Sequence, residues 1–271
     1  MIGKGGPSDV ITMISYTFED ILTALKAIKL KEGQDVFVHS NLGYFGKLQG
    51  AENAQELCEA FTDAFLQTIG KTGTLILPAF TYSFCHGEVY DACTTPTKCG
   101  MFPEYLRNRM DARRSYDPNF SVVAVGARAE EYTAQWTHEA FGEGSFWERF
   151  LANDGQIVCM NFDCGSTFVH YVERVNQVPY RYNKAFNGTM VVEGKEARDY
   201  AVHYVYDNTR PQDGPEFSRL DALVRQQPFF FRAALGRGNL LHFPAEGYKK
   251  LITETLKKRP YFLTKTEERE E

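Results

Sequence analysis

The chain has 271 residues, of which 43% are hydrophobic, 14% aromatic and 24% charged. These are globular proportions, and they exclude disordered, collagenous and low-complexity classes. Lysine and arginine total 30 against 35 aspartate and glutamate, a net charge of -5, so no basic surface for nucleic acid is expected.

Residues 1–12 read as a tail, with no periodicity over 3–7 and a second start offered by Met13. Residues 17–30 predict an amphipathic helix: Thr17 is the N-cap, Asp20 follows three residues on, and Ile21, Leu22, Leu25 and Ile28 form an apolar stripe. After a turn, Asp35–Ser40 (DVFVHS) reads as a buried strand that ends in a polar loop over 41–50. Ala54–Ile69 is a second helix, with Leu57, Phe61, Ala64 and Phe65 on one face. Residues 74–80 (TLILPAF) form another near-continuous apolar strand and run into a long structureless loop containing Glu88 and Asp91. Residues 121–125 and Gln156–Met160 are further strands of this kind, and 130–136, 145–151 and 167–174 are short helices. Apolar strands separated by helices predict a mostly parallel sheet covered on both faces.

Beyond Pro179 the pattern alternates. Residues 185–192 and 200–206 read as antiparallel strands joined around Glu193 and Gly194. A helix over 217–226, a short region over 239–243 and a last helix, Ala245–Lys258, complete the chain before a frayed tail, 265–271. No repeat or linker breaks residues 13–264, which predict a single domain. The longest apolar runs are far shorter than the roughly 20 residues that span a bilayer. No charged-then-apolar leader opens the chain, so a soluble, cytoplasmic protein without membrane insertion is expected.

Six cysteines, at 58, 85, 93, 99, 159 and 164, are expected to be reduced. Cys85, Cys93 and Cys99 share one stretch with His86, but no pair has the two-residue gap of a zinc site, so no metal is expected. The phosphate-loop, dinucleotide, nucleophile-elbow and zinc-protease motifs are all missing. What remains is a set of loops at strand ends, where open α/β sheets bind ligands. They are His39-Ser40-Asn41-Leu42-Gly43, Pro78-Ala79-Phe80-Thr81-Tyr82, Asp117-Pro118-Asn119-Phe120-Ser121, Gly142-Glu143-Gly144-Ser145 and residues 165–173. In the last, His170 and Glu173 lie three apart on one helix face. A carboxylate beside an imidazole fixes its tautomer and raises its basicity, as a general base requires. A surface ion pair is the alternative reading.

Together these pieces resemble the aminoglycoside 3-N-acetyltransferase family, the antibiotic N-acetyltransferases. The matching segments are His39-Ser40-Asn41-Leu42, Gly73-Thr74-Leu75 leading to Pro78-Ala79-Phe80-Thr81, Pro118 to Ser121, Gly142 to Ser145, and Thr167 with His170 and Glu173. They come in the family's order; the chain after Pro179 matches only loosely. The resemblance implies a three-layer α/β/α sandwich with an antiparallel C-terminal extension, unlike the GNAT fold. It implies acyl-coenzyme A as donor, an amino sugar as acceptor, and direct transfer with His170 as general base. His39, Ser40, Asn41, Leu42, Gly43, Ser121, Gly144, Ser145 and Thr167 would line coenzyme A, and Thr81, Tyr82, Asp117 and His203 would face the acceptor. The chain departs from the family in two places. Asp117 stands where the family has His, and residues 199–207 hold no Glu to pair with the base, leaving His203 or Asp207 for that role.

A polycationic aminoglycoside calls for a strongly acidic pocket. This chain is mildly acidic, and Arg113, Arg114, Arg181 and Lys184 adjoin the site segments. That balance favours a nucleotide-linked amino-deoxysugar over an aminoglycoside. Two other classes stay open: a hydrolase using Cys164 or Ser166 with His170, and a non-catalytic ligand-binding domain. Homo-oligomerisation is also open.

Overall fold

The computed structural model describes residues 14–210 and 214–266; of the tails assigned from sequence, all but Lys265 and Thr266 lie outside them. The elements in chain order are β1 (Ser15–Tyr16), α1 (Phe18–Ala27), β2 (Asp35–Ser40), β3 (Lys47–Leu48), α2 (Ala54–Ile69), β4 (Thr74–Pro78), α3 (Ser83–His86), β5 (Val89–Asp91), α4 (Met101–Arg107), β6 (Arg113–Arg114) and β7 (Val122–Gly126). Then follow α5 (Ala129–Thr133), α6 (Phe146–Ala152), β8 (Gln156–Met160), α7 (Phe168–Val175), β9 (Arg181–Val192), β10 (Lys195–Tyr206), α8 (Ser218–Arg225), β11 (Phe231–Leu235), β12 (Gly238–Pro244) and α9 (Ala245–Lys258).

Local chemistry starts several of these elements. Thr17 and Asp20 form a reciprocal capping box: the Asp20 N–H donates to Thr17 Oγ1 at 3.1 Å and the Thr17 N–H to Asp20 Oδ2 at 2.7 Å. Glu193 and Gly194, with φ of 51° and 74°, turn β9 into β10.

The main sheet has the order β11-β12-β8-β2-β4-β7-β6. Parallel pairing is confined to the middle, β8-β2-β4; β12, β11, β7 and β6 all add antiparallel. The sheet is therefore mixed rather than mostly parallel. Continuous apolar runs report burial on both faces, which an antiparallel strand such as β7 also has. Alternate residues feed two cores. Val36 and Val38 pack with Leu25, Phe61 and Phe102 from α1, α2 and α4. Phe37 packs with Tyr132, Phe150, Phe168, Leu220 and Tyr248 from α5 to α9. The result is an α/β/α sandwich, and the β9–β10 hairpin is its antiparallel extension, joined by β5 in a second sheet. The segment after β4 is not structureless: it holds α3, β5 and α4. Among the described residues no helix is long and apolar enough to cross a membrane.

The parallel middle strands set the site. The C-terminal ends of β2, β4 and β8 lie together, and antiparallel β7 begins beside them, since Pro78 pairs with Val122. Four of the loops singled out from sequence therefore open at one end of the sheet.

Candidate active site

His39 follows Phe37 on the helical face toward α7. Its Nε2 accepts the Thr167 N–H at 3.3 Å and is 3.0 Å from Ser166 Oγ, so that nitrogen carries no proton. Burial pushes its pKa down to about 4. A neutral imidazole at the end of β2 thus anchors the first turn of α7.

One turn on, His170 Nδ1–H donates to Glu173 Oε2 at 2.7 Å. Glu173 is fully buried, so this is no surface pair, and the Tyr180 hydroxyl donates to its other oxygen at 2.9 Å. Arg181, at the start of β9, completes the cluster with Nε 2.9 Å from Glu173 Oε2. Burial raises the Glu173 carboxyl, but Arg181 and the hydrogen bonds from His170 and Tyr180 outweigh it and hold it below the usual glutamate value. Burial and then the charge of Arg181 pull His170 below its usual value, against Glu173. With Nδ1–H on a carboxylate, Nε2 is the basic nitrogen. This is what a group that removes a proton from an incoming nucleophile requires.

A second cluster lies beyond Phe120. The Cys85 N–H donates to Asn119 Oδ1 at 3.2 Å, which turns the Asn119 amide nitrogen to His203 Nε2 at 2.8 Å. His203 Nδ1–H therefore points to Cys85 Sγ at 3.7 Å. Burial lowers His203 to about 4 and raises the Cys85 thiol to about 11. Asp117 accepts the Asn119 and Phe120 N–H groups at 2.9 and 2.8 Å, yet burial lifts its carboxyl to about 6. Tyr82 packs edge-on against Phe120 at 5.3 Å.

The remaining expected site residues divide. Asn41 and Gly43 are exposed, Ser40 is half-buried, and Gly144 precedes Ser145, which caps α6 by accepting the Glu148 N–H. Leu42 is in the core. Ser121 and Thr81 are buried, with hydroxyls donated to the Ala79 and Pro118 carbonyls at 2.6 Å each, which leaves them no surface for a ligand. Asp207 does not join His170: its carboxylate accepts the Thr209 N–H and hydroxyl at 3.0 and 2.6 Å. Sequence reasoning missed Tyr180, placed Asn119 in a ligand loop without a partner, weighed Cys85 only as a metal ligand, and read Arg181 as a phosphate partner. Each reaches its cluster through tertiary pairing that no local spacing announces.

The packing also bears on the cysteines, on the alternative nucleophiles and on the basic residues. Cys85, Cys93, Cys99 and His86 do not converge; among the described residues no three metal-ligating side chains do. Ser166 is fully buried on His39, and burial with an Asp221 hydrogen bond holds the Cys164 thiol far above its usual value, so neither is an available nucleophile. Arg113 pairs with Glu130, Arg114 binds the Ala79 and Thr95 carbonyls, and Lys184 lies 5.0 Å over the Phe186 ring. Of the cations that favoured a phosphate-bearing acceptor, Arg114 and Arg181 are engaged within the fold, whereas Arg113 and Lys184 remain exposed.

The α/β/α sandwich carries a carboxylate-held imidazole at the ends of its parallel strands, an arrangement that can accept a proton from a bound nucleophile. The family model for aminoglycoside 3-N-acetyltransferase matches residues 37–257, and the chain belongs to that family; it is an N-acyltransferase. Among relatives, aminoglycoside N(3)-acetyltransferase III of a Salmonella species is 28% identical over 219 residues, 71% of this chain and 74% of the relative. The prophage-derived aminoglycoside N(3')-acetyltransferase-like protein YokD of Bacillus subtilis is 26% identical over 208 residues, 68% of this chain and 74% of that protein. Of solved structures, AAC-VIa bound to sisomicin has a TM-score of 0.78 at 20% identity, covering 90% of this chain and 98% of that one. AAC-IIIb in a binary complex with CoASH has a TM-score of 0.76 at 20% identity, covering 90% and 97%. These likenesses establish the fold.

Proposed function

We propose that this enzyme moves an acetyl or similar short acyl group from acyl-coenzyme A to an amine of an aminoglycoside-type amino sugar, by direct transfer. The observation that carries this is the His170–Glu173 pair, 2.7 Å apart at the sheet end where the site loops open. His170 Nε2 takes a proton from the amine as its nitrogen attacks the thioester carbonyl. The new C–N bond forms, the C–S bond breaks, and the coenzyme A thiolate leaves. Glu173 stabilises the imidazolium, and the proton then passes to the thiolate or to water. No acyl-enzyme is needed.

The loop from His39 to Gly43, with Gly144 and Thr167, is proposed to line the donor beside the buried cap residue Ser145; Tyr82 and Asp117 are proposed to face the acceptor, with His203 buried against Phe120. Residues 13–264 are taken as the acyltransferase unit. An acyl-coenzyme A donor implies work in the cytoplasm, where that thioester is made. The relatives named for aminoglycosides support this acceptor class. A nucleotide-linked amino sugar finds no such support, and Arg114 and Arg181, two of the four cations that suggested it, serve the fold.

The test is thiol release from acetyl-coenzyme A with sisomicin and, in parallel, with a nucleotide-linked 3-amino-deoxysugar. Release with sisomicin is expected. Release only with the nucleotide sugar would reverse the acceptor assignment, and silence with both would count against the proposed transfer.

A further inference from the structure

Two opposite charges touch the same nitrogen of His170. Glu173 Oε2 is 2.7 Å from Nδ1, and Arg181 Nη2 is 3.1 Å from it. Only the carboxylate can accept the Nδ1 proton, so other partners must hold the guanidinium there. Its Nε is 2.9 Å from Glu173 Oε2, and Nη1–H donates to the Tyr204 carbonyl at 2.8 Å. Its central carbon lies 3.7 Å from the centroid of the Tyr206 ring. The hairpin register explains the stacking, because Arg181 and Tyr206 are direct cross-strand partners. The Arg181 side chain is 5% exposed, too enclosed for a solvent-facing ion pair.

We propose that Arg181 is a positioning residue for the base: it fixes the Glu173 carboxylate and supplies the compensating charge that keeps the His170 imidazole neutral, with Nε2 ready to take a proton. This rests on His170 being the base. A buried carboxylate alone against an imidazole favours the imidazolium, and a protonated ring can accept nothing. Pairing that carboxylate with a guanidinium leaves the ring facing a dipole instead of a net charge. Glu173 still orients Nδ1–H and still stabilises the imidazolium when it forms.

The other groups around His170 do not supply this charge. Tyr180 donates its hydroxyl to Glu173 and Tyr204 donates its own to the Val178 carbonyl at 2.9 Å. Tyr206 from β10 offers its ring face to Arg181. Phe141 and Phe217 offer ring contacts at 5.5 and 6.3 Å. Arg174, next along α7, pairs away with Glu139 at 3.0 Å.

The test follows the His170 imidazole by NMR titration in the full chain, beside the pH dependence of kcat/KM with acetyl-coenzyme A and sisomicin. In Arg181→Gln the His170 midpoint should rise by about one to three pH units, and the acid limb of kcat/KM should rise with it. A merely structural role would lower activity and leave the midpoint in place, and that result overturns the inference. Arg181→Lys keeps the charge but loses the planar fork. It should hold the limb near the wild-type position with a lowered kcat. If the glutamine variant does not fold, the lysine variant decides: a wild-type kcat, or a limb that moves although the charge is kept, overturns the proposal. Full turnover in His170→Ala would defeat the base itself, whereas the His170 midpoint in Arg181→Gln reports on Arg181 alone.

Discussion

His170 and His203 are joined through two phenylalanine rings. Phe141 meets His170 edge-on at 5.5 Å, Phe120 lies 4.9 Å from Phe141, and His203 lies 4.8 Å from Phe120. Their other neighbours assign different work. His170 has a buried carboxylate to hold an imidazolium as it forms; His203 has an amide and a thiol. His170→Ala is therefore expected to lower kcat by about 10²- to 10⁴-fold and leave coenzyme A binding intact. His203→Asn should raise KM for the acceptor more than it lowers kcat. Steady-state kinetics and a calorimetric coenzyme A titration separate the two, and equal losses of kcat would contradict the division.

Glu173 and Asp207 make a second contrast. Glu173 is enclosed with Arg181, so Glu173→Gln leaves a buried guanidinium without its counter-charge. Breaking such a pair costs about 3–5 kcal/mol. A urea midpoint well below wild type, together with a lowered kcat, is expected. Asp207 caps its own turn and does not touch His170. Asp207→Asn should leave kcat unchanged, and a loss matching that of the Glu173 variant would restore Asp207 as the partner carboxylate.

Ser166 decides between direct transfer and a covalent route. Its hydroxyl is buried on His39, not on His170. Ser166→Ala should keep acyl transfer and lose about 1 kcal/mol of stability from the missing hydrogen bond. Mass spectrometry of the wild-type protein mixed with acetyl-coenzyme A should show no added acetyl group at Ser166 or Cys164. A stoichiometric adduct there would end the direct-transfer reading.

Much of the fold was legible because period and burial agree. β2, α2, β8 and α9 run over the residues that their apolar patterns mark. β7 reads as a buried strand, but its direction depends on a partner, and no local pattern carries that information. The hairpin begins earlier than its alternation shows, because Tyr182, Asn183 and Lys184 are exposed and polar or mixed in character. β5 has three residues and exists through parallel pairing with β9. The same limit applies to the site. Spacing three along a helix is enough to pair His170 with Glu173, whereas Arg181 returns to them only through the hairpin. Its sequence neighbourhood reads simply as positive charge.

The histidines buried outside the base also set how the protein tolerates acid. Burial lowers His39, His203 and His242 to about 4 each, from the ordinary value of 6.5. Between those values the unfolded chain binds three protons that the folded chain refuses, so stability is full above 6.5 and falls as pH drops toward 4. Asp117 works the other way. Its folded value is about 6 against an ordinary 3.8, so the folded state holds one proton that the unfolded state releases. Three histidines against one aspartate leave a net loss on acidification. Urea unfolding at neutral pH and near pH 4.5 should show it as a lower stability at the acid value. His242 offers a clean handle, because it lies between the Ile28 carbonyl and Gln156, away from the site loops. His242→Asn should flatten the slope of stability against pH by about one proton and leave kcat at neutral pH unchanged. A slope that does not move would mean His242 titrates normally in the folded protein.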